Sequence, residues 1–124
     1  MILNPFPAIT AMIAASLLSG TASAQTKWVE INDDILVAPF NLTADEMEEL
    51  DIYDAAGKRI AEVEEVIGTD ATTPTALVID FDDSAGYGQT GDIIVPFDQF
   101  EMTESRFVLN ADADAISGLE TYED

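Results

Sequence analysis

Three carboxylates that lie close together along the chain are the residues best suited to do chemistry. Asp80, Asp82 and Asp83 stand where a run of alternating apolar residues enters a loop rich in Asp, Ser and Gly. Hard oxygen ligands of this kind suit calcium, and residues two apart on a strand share one face. The pattern is not an EF-hand, because Ala85 and Gly91 stand where that loop needs glycine and glutamate. These three residues are the candidate metal ligands, and the alternative is a loop whose carboxylates are simply solvated.

The side chains that many enzymes use for nucleophilic and metal chemistry are missing. The chain has no His and no Cys, which excludes Ser-His-Asp triads, thiol proteases and thiolate zinc sites. No glycine-rich loop leads into a helix in the way that a phosphate-binding loop requires. We therefore expect a protein that is not an enzyme and that has no cofactor, with calcium as the only candidate ion.

The charge of the chain is extreme and one-sided. It has 25 Asp and Glu against 4 Lys and Arg, for a net charge of −21. Such a charge opposes binding to nucleic acid, which needs cations to contact phosphate, and to anionic lipid surfaces. Two interpretations stay open: a solvated surface suited to solubility or a salty habitat, or a surface that binds cations or a basic partner.

Residues 1–24 have the composition of an export signal. An apolar run over residues 8–20 precedes Ala22, Ser23 and Ala24, which form an A-x-A-type cleavage site. The run is shorter than the roughly 20 apolar residues that span a bilayer. Because no Lys or Arg precedes it, an N-terminal membrane anchor is the alternative. We predict a cleaved signal peptide at residues 1–24 and a periplasmic or secreted protein that is not attached to the membrane after cleavage.

The next segments predict a short helix followed by a β-hairpin. Residues 25–41 are expected to be an extended lead-in, within which residues 28–37 read as a first strand or extended stretch with a turn at Asn32-Asp33-Asp34. A capping-box pattern of Thr43 and Glu46 predicts a helix over residues 44–50. Residues 51–54 then predict a strand, and Gly57 supplies the positive φ that a tight hairpin turn needs.

The second strand of this hairpin is ambiguous in its spacing. Ile60, Val63 and Val66 fit a helical period better than strict alternation. The β-branched residues and the glycines on both sides favour a strand with a bulge over residues 60–67.

The remaining segments read as short strands with one closing helix. We predict a loop over residues 69–74 and a helix over residues 112–119, with strands over residues 75–81, 92–97 and 106–110. Short strands at close spacing predict a small all-β barrel or sandwich with short flanking helices.

The order of these segments resembles the PRC-barrel family. The matching features lie in Leu50-Asp-Ile-Tyr-Asp54, in Gly57-Lys58, in the strand over residues 60–66, in the alternating strand over residues 76–80, and in Val95-Pro96-Phe97. The resemblance covers about residues 42–122. Two departures are Ala61, where the family commonly has glycine, and Gly86-Tyr87-Gly88 in place of a more apolar loop.

The resemblance implies a small PRC-type β-barrel at residues 42–124, similar to exported, single-domain bacterial members of the family. Related barrels in the H subunit of photosynthetic reaction centres and in a ribosome maturation factor work through protein contacts. The resemblance therefore implies a non-enzymatic interaction or adaptor module whose protein partner is unknown. The alternative is an acidic protein that binds divalent cations. Tyr87, between two glycines at a loop tip, is the candidate contact residue, since tyrosine is favoured at interfaces. The other interpretation of Tyr87 is a ring that lies flat on the barrel.

Overall fold

The computed structural model describes residues 27–87 and 91–123. The signal peptide predicted at residues 1–24 lies outside these residues, as does the start of the predicted lead-in. Among the helices that are described, none has both the length and the apolar character needed to cross a membrane.

The described chain is built from short strands with a helix near each end. The strands are β1 (Val29–Glu30), β2 (Leu36–Val37), β3 (Leu42–Thr43), β4 (Asp51–Tyr53), β5 (Arg59–Asp70), β6 (Thr73–Phe81), β7 (Asp92–Pro96), β8 (Phe100–Met102) and β9 (Phe107–Leu109), and the helices are α1 (Ala44–Met47) and α2 (Ala113–Ser117).

One sheet contains most of these strands and curls into a half-barrel. Its order is β7-β6-β5-β4-β9-β8, with β1 added to β5, while β2 and β3 form a separate hairpin. All neighbouring pairs are antiparallel except β4 and β9, which run parallel. The prediction of an all-β fold with short flanking helices is confirmed.

A bulge at Glu64 explains the ambiguous spacing of β5. Val63 pairs with Ile79 and Val66 pairs with Leu77, so the two β6 residues are two apart while the two β5 residues are three apart. The extra residue on β5 lets all four apolar side chains join the same core. The predicted strand with a bulge is confirmed, and the helix-like spacing is its consequence.

The sheet has a large core on one face and a small apolar patch on the other. Side chains along β5, β6 and β7 alternate between the two faces, as the period of a strand requires. The small patch is packed by Trp28 and Tyr122 from the two ends of the described chain. Every buried residue is apolar or glycine within the described ranges, so the carboxylates there all remain in contact with water.

The described part of the predicted lead-in belongs to this core. The predicted turn at residues 32–34 lies between β1 and β2, where the backbone N–H of Ile35 donates to the carbonyl of Asn32 at 3.1 Å. Ile31, Val37 and Phe40 are buried in the large cluster. Ile31 also donates its backbone N–H to the carbonyl of Val66 at 2.9 Å, next to the β1–β5 pairing. The segment therefore closes one side of the half-barrel.

Two turns show how local sequence sets the path of the chain. Thr43 and Glu46 form the predicted capping box, with Glu46 N–H donating to Thr43 Oγ1 at 3.2 Å. The helix that they begin ends at Met47, earlier than predicted. In the predicted hairpin, Gly57 has a φ of 91° and donates to the carbonyl of Asp54 at 3.0 Å, which confirms the turn.

Two predictions about the later strands are wrong. The loop predicted over residues 69–74 is a tight turn, because β5 continues to Asp70 and β6 begins at Thr73. Asp70 stabilises it by accepting from the backbone N–H of Thr72 at 3.0 Å. Strand β8 was not predicted at all, since its three residues follow a short 3-10 turn and have no alternation long enough to read.

Gly68 provides a sharp test of the β5–β6 pairing. A Cβ built at this position would lie 1.9 Å from the backbone oxygen of Thr73 and 3.2 Å from Ile31 Cδ1. We predict that Gly68→Ala lowers the free energy of unfolding by roughly 1–3 kcal/mol, the usual scale for overpacking. Chemical denaturation of the purified protein measures this.

The matched control is Gly118→Ala. No atom lies within 4 Å of a Cβ built there, so its effect should stay within about 0.5 kcal/mol. Equal stability of the Gly68→Ala variant and the parent would contradict the close approach of the two strands.

Candidate functional site

The structure separates the three predicted metal ligands. Asp80 lies on β6, Asp82 follows it, and Asp83 begins a 3-10 turn. Asp82 accepts from Arg59 Nη1 at 2.8 Å, whereas Asp83 is exposed. Within the described ranges, these three carboxylates do not form one group of mutually close oxygens. Calcium binding by the three residues stays a prediction.

Asp80 instead meets two glutamates across the β5–β6 ladder. Glu62 is its direct cross-strand partner, and the bulge turns Glu64 toward the same place. One carboxylate oxygen from each of Glu62, Glu64 and Asp80 lies within 4.8 Å of the others. We call these residues the sheet triad. Like charges placed opposite each other on a sheet repel, so a cation or a proton at this place lowers the free energy of the triad.

The pKa of Glu64 is raised above its usual value. Burial is the largest cause that raises it, followed by the charge of Asp92 and a hydrogen bond with Glu62. Asp92 contributes because it is the cross-strand partner of Asp80 on β7. A row of carboxylates therefore crosses three neighbouring strands.

A second acidic group forms around α1. Oxygens of Asp33, Asp45 and Glu48 lie within 4.8 Å of one another. The backbone N–H of Asp45 donates to the carbonyl of Asp33 at 3.1 Å, which brings the turn before β2 against the helix. Burial, followed by the charges of Asp33 and Asp45, raises the pKa of Glu48.

Arg59 is the cation that holds the acidic hairpin together. Its Nε lies 3.1 Å from Asp51, and its Nη2 lies 3.3 Å from Glu62. With Asp82 as a third partner, it joins β4, β5 and the end of β6. Hydrogen bonds to Asp51, and then to Asp82, raise the pKa of Arg59. Arg59 is therefore committed to contacts within the fold.

Tyr87 lies against the barrel. Its ring stacks on Phe81 with centroids 4.7 Å apart, and its hydroxyl donates to the carbonyl of Ala111 at 3.2 Å. Burial, followed by the charges of Asp54 and Asp112, raises the pKa of the hydroxyl. The residue is half-buried and lines a shallow groove with those two carboxylates. Its role as a contact residue stays a prediction.

A larger groove opens between the end of α1 and the turn that joins β8 to β9. We call it the hairpin groove, and its volume is about 520 Å³. Thr103 shapes one wall, since its hydroxyl accepts from the backbone N–H of Arg106 at 3.0 Å and closes the turn. The groove is lined by Phe40, Asn41, Leu42, Glu49, Leu50, Asp51, Tyr53, Met102, Thr103, Glu104, Ser105, Arg106 and Phe107.

The charges around the hairpin groove are unevenly compensated. The Arg106 guanidinium lies over the Tyr53 ring at 5.1 Å from its centroid, a cation–π contact that fixes its position. Asp51 is paired with Arg59. Glu49 and Glu104 are exposed and form no ion pair with any residue that the structure describes. The groove thus offers an apolar floor with two free carboxylates at its rim.

Sequence reasoning did not find this groove, because its residues come from distant segments. Leu50 and Met102 are 52 positions apart and meet only because β4 lies beside β9 and β9 beside β8. The parallel β4–β9 pairing has no local signal.

The raised pKa of Glu64 predicts how the sheet triad affects stability. Because the pKa of Glu64 is higher in the folded chain than in the unfolded chain, folding favours its protonated form. This contribution to the free energy of unfolding is fully present below the unfolded pKa and is lost as pH rises through the folded pKa. We predict that Glu64→Gln, which is neutral at every pH, is more stable than the parent at neutral pH. The gain should be a few tenths of a kcal/mol, as for solvent-screened charges, and should shrink below about pH 4.

Thermal unfolding at several pH values measures this difference, with Glu123→Gln as the control for loss of an exposed charge. A Glu64→Gln variant that melts below the parent at neutral pH would show that the carboxylate is stabilising there.

Comparison with known proteins places this fold in a family. The family model of the PRC-barrel domain matches residues 41–116, which is more than half of the chain. The matched segment begins just before β3 and ends inside α2, so it contains the whole of the β4–β5 hairpin and most of the hairpin groove. A comparison with curated proteins found no match. The chain belongs to the PRC-barrel family.

Proposed function

We propose that this protein is an exported, non-enzymatic PRC-barrel module that binds a protein partner through the hairpin groove. The observation that carries the proposal is the groove itself, whose floor contains the partly buried side chains of Leu42, Leu50 and Met102. Apolar surface in a concave position is where binding energy is concentrated at protein interfaces.

The rest of the chain supports binding rather than catalysis. The sequence has neither His nor Cys to serve as a nucleophile or base. Thr103 and Ser105 line the groove together with its carboxylates, but the Thr103 hydroxyl is engaged by the backbone of Arg106. A nucleophile, a base and an orienting group held together are what an active site requires. The net charge of −21 opposes nucleic acid and anionic membranes as partners. The apolar run and cleavage pattern in residues 1–24 support a location in the periplasm or outside the cell.

Capture of partners by groove variants tests the proposal. The protein, expressed from the full sequence given, is immobilised. It is then exposed at moderate salt to the periplasmic or secreted protein fraction of the organism that produces it. We predict that a double variant, Leu50→Ala with Met102→Ala, retains about tenfold less of the captured protein, which corresponds to a loss of about 1.4 kcal/mol. Thermal unfolding of the variant establishes that it is still folded.

The matched control is Leu36→Ala. Leu36 is 52% exposed and does not line the groove, so its truncation should leave capture unchanged. Tyr87→Ala separates the groove from the loop residue predicted by sequence. If capture survives in the double variant but is lost in Tyr87→Ala, the contact surface is the loop at Tyr87 and not the groove. If the parent captures no protein, the proposal is contradicted.

An alternative function is calcium-responsive cation binding, favoured by one specific observation. The β5–β6 ladder brings Glu62, Glu64 and Asp80 within 4.8 Å at their oxygens, and carboxylate oxygens are preferred calcium ligands. In this alternative, calcium relieves the repulsion within the sheet triad and stabilises the folded chain.

Calcium titrations at fixed, high ionic strength test the alternative. Under these conditions screening is already strong, so only a specific site gives a saturable rise in the unfolding midpoint. If the sheet triad binds calcium, the rise should be lost in Asp80→Asn and kept in Asp83→Asn, which changes the net charge equally. A flat response of the parent would exclude the alternative, and loss only in Asp83→Asn would place the ion in the loop.

A further inference from the structure

The chemistry of the hairpin groove narrows the kind of partner that it fits. Leu42, Leu50 and Met102 pack against the main core but are only partly buried, so each leaves apolar surface facing the groove. Glu49 and Glu104 line the same groove. A ligand that covers the apolar floor therefore also comes close to two carboxylates.

Little positive charge is available to compensate these carboxylates. Arg106 is the single cation among the residues that line the groove, and its guanidinium is held over the Tyr53 ring. The nearby Arg59 is already engaged by Asp51, Glu62 and Asp82. Across the whole chain, 4 basic residues face 25 acidic ones. A cationic partner would supply the positive charge that the rim lacks.

Building on the proposed function, we infer that the hairpin groove binds a cationic segment of a protein, with an apolar side chain as its anchor. The anchor covers Leu50 and Met102, while lysine or arginine side chains on either side of it meet Glu49 and Glu104. The groove is open rather than enclosed, which suits a segment that continues beyond both ends. Complementary charge speeds association and selects the partner, and the apolar contact supplies affinity.

A synthetic peptide in which lysine and leucine alternate is the probe for this inference. Fluorescence anisotropy measures its binding to the protein expressed from its complete sequence, at about 0.15 M salt to damp diffuse attraction. We predict that the double variant Glu49→Gln with Glu104→Gln binds the peptide about tenfold more weakly, and that Met102→Ala also weakens binding.

The matched control is Asp34→Asn with Glu123→Gln, which removes two exposed carboxylates outside the groove and has the same net charge as the groove double variant. It should bind like the parent. A peptide with serine in place of leucine should bind much more weakly, because it has no anchor.

Two results would overturn the inference. Equal weakening by the groove pair and the control pair would mean that the peptide responds to overall charge, although capture of a protein through the apolar floor would still stand. A peptide that alternates glutamate and leucine could instead bind more tightly than the lysine–leucine peptide and lose its binding in Arg106→Gln. That result would mean that the groove binds anionic segments. Capture of no protein by the parent, with the peptide results as predicted, would contradict the proposed function and support the peptide specificity.

Discussion

The pairing of β5 with its neighbours is the interaction on which the rest of the structure depends. This strand pairs with β1, β4 and β6, so it connects the lead-in, the hairpin and the second half of the sheet. The bulge at Glu64 brings the apolar side chains of β5 on both sides of it to the same core. It also places Glu64 beside Glu62 and Asp80. The absence of a side chain at Gly68 lets β6 return closely along it. The packing of the core and the close approach of the three carboxylates in the sheet triad thus both follow from how β5 pairs with β6.

The extreme charge is accommodated without burying a charged residue in the part of the chain that the structure describes. Partial loss of solvation raises the pKa of Glu48 and Glu64. Arg59 offsets three of the carboxylates around the β4–β5 hairpin. The remaining negative charge lies on the surface, where it attracts cations and basic partners and repels polyanions. At the hairpin groove, this charge lies next to apolar surface, and the proposed specificity for a cationic segment with an apolar anchor rests on that combination.

Local patterns predicted the fold well and the candidate site poorly, for a physical reason. The capping box at Thr43, the turn at Gly57 and the bulged strand after it are determined by neighbouring residues, and all were predicted. The two-residue turn after Asp70 was missed because Pro74, which pairs with Gly68 in the ladder, looks like a loop residue in the sequence. The hairpin groove depends on the parallel pairing of β4 with β9, which joins residues from opposite ends of the domain. No local pattern encodes that pairing.

The hairpin groove is the proposed binding surface, and chemical-shift mapping tests this proposal directly. Nitrogen-15-labelled protein would be titrated with the lysine–leucine peptide while its backbone amide signals are followed. We predict that the largest shifts lie at Leu42, Leu50, Tyr53, Met102 and Arg106, on the segments that line the groove. Shifts spread evenly over the acidic surface, or centred on Tyr87 and the sheet triad, would contradict the account.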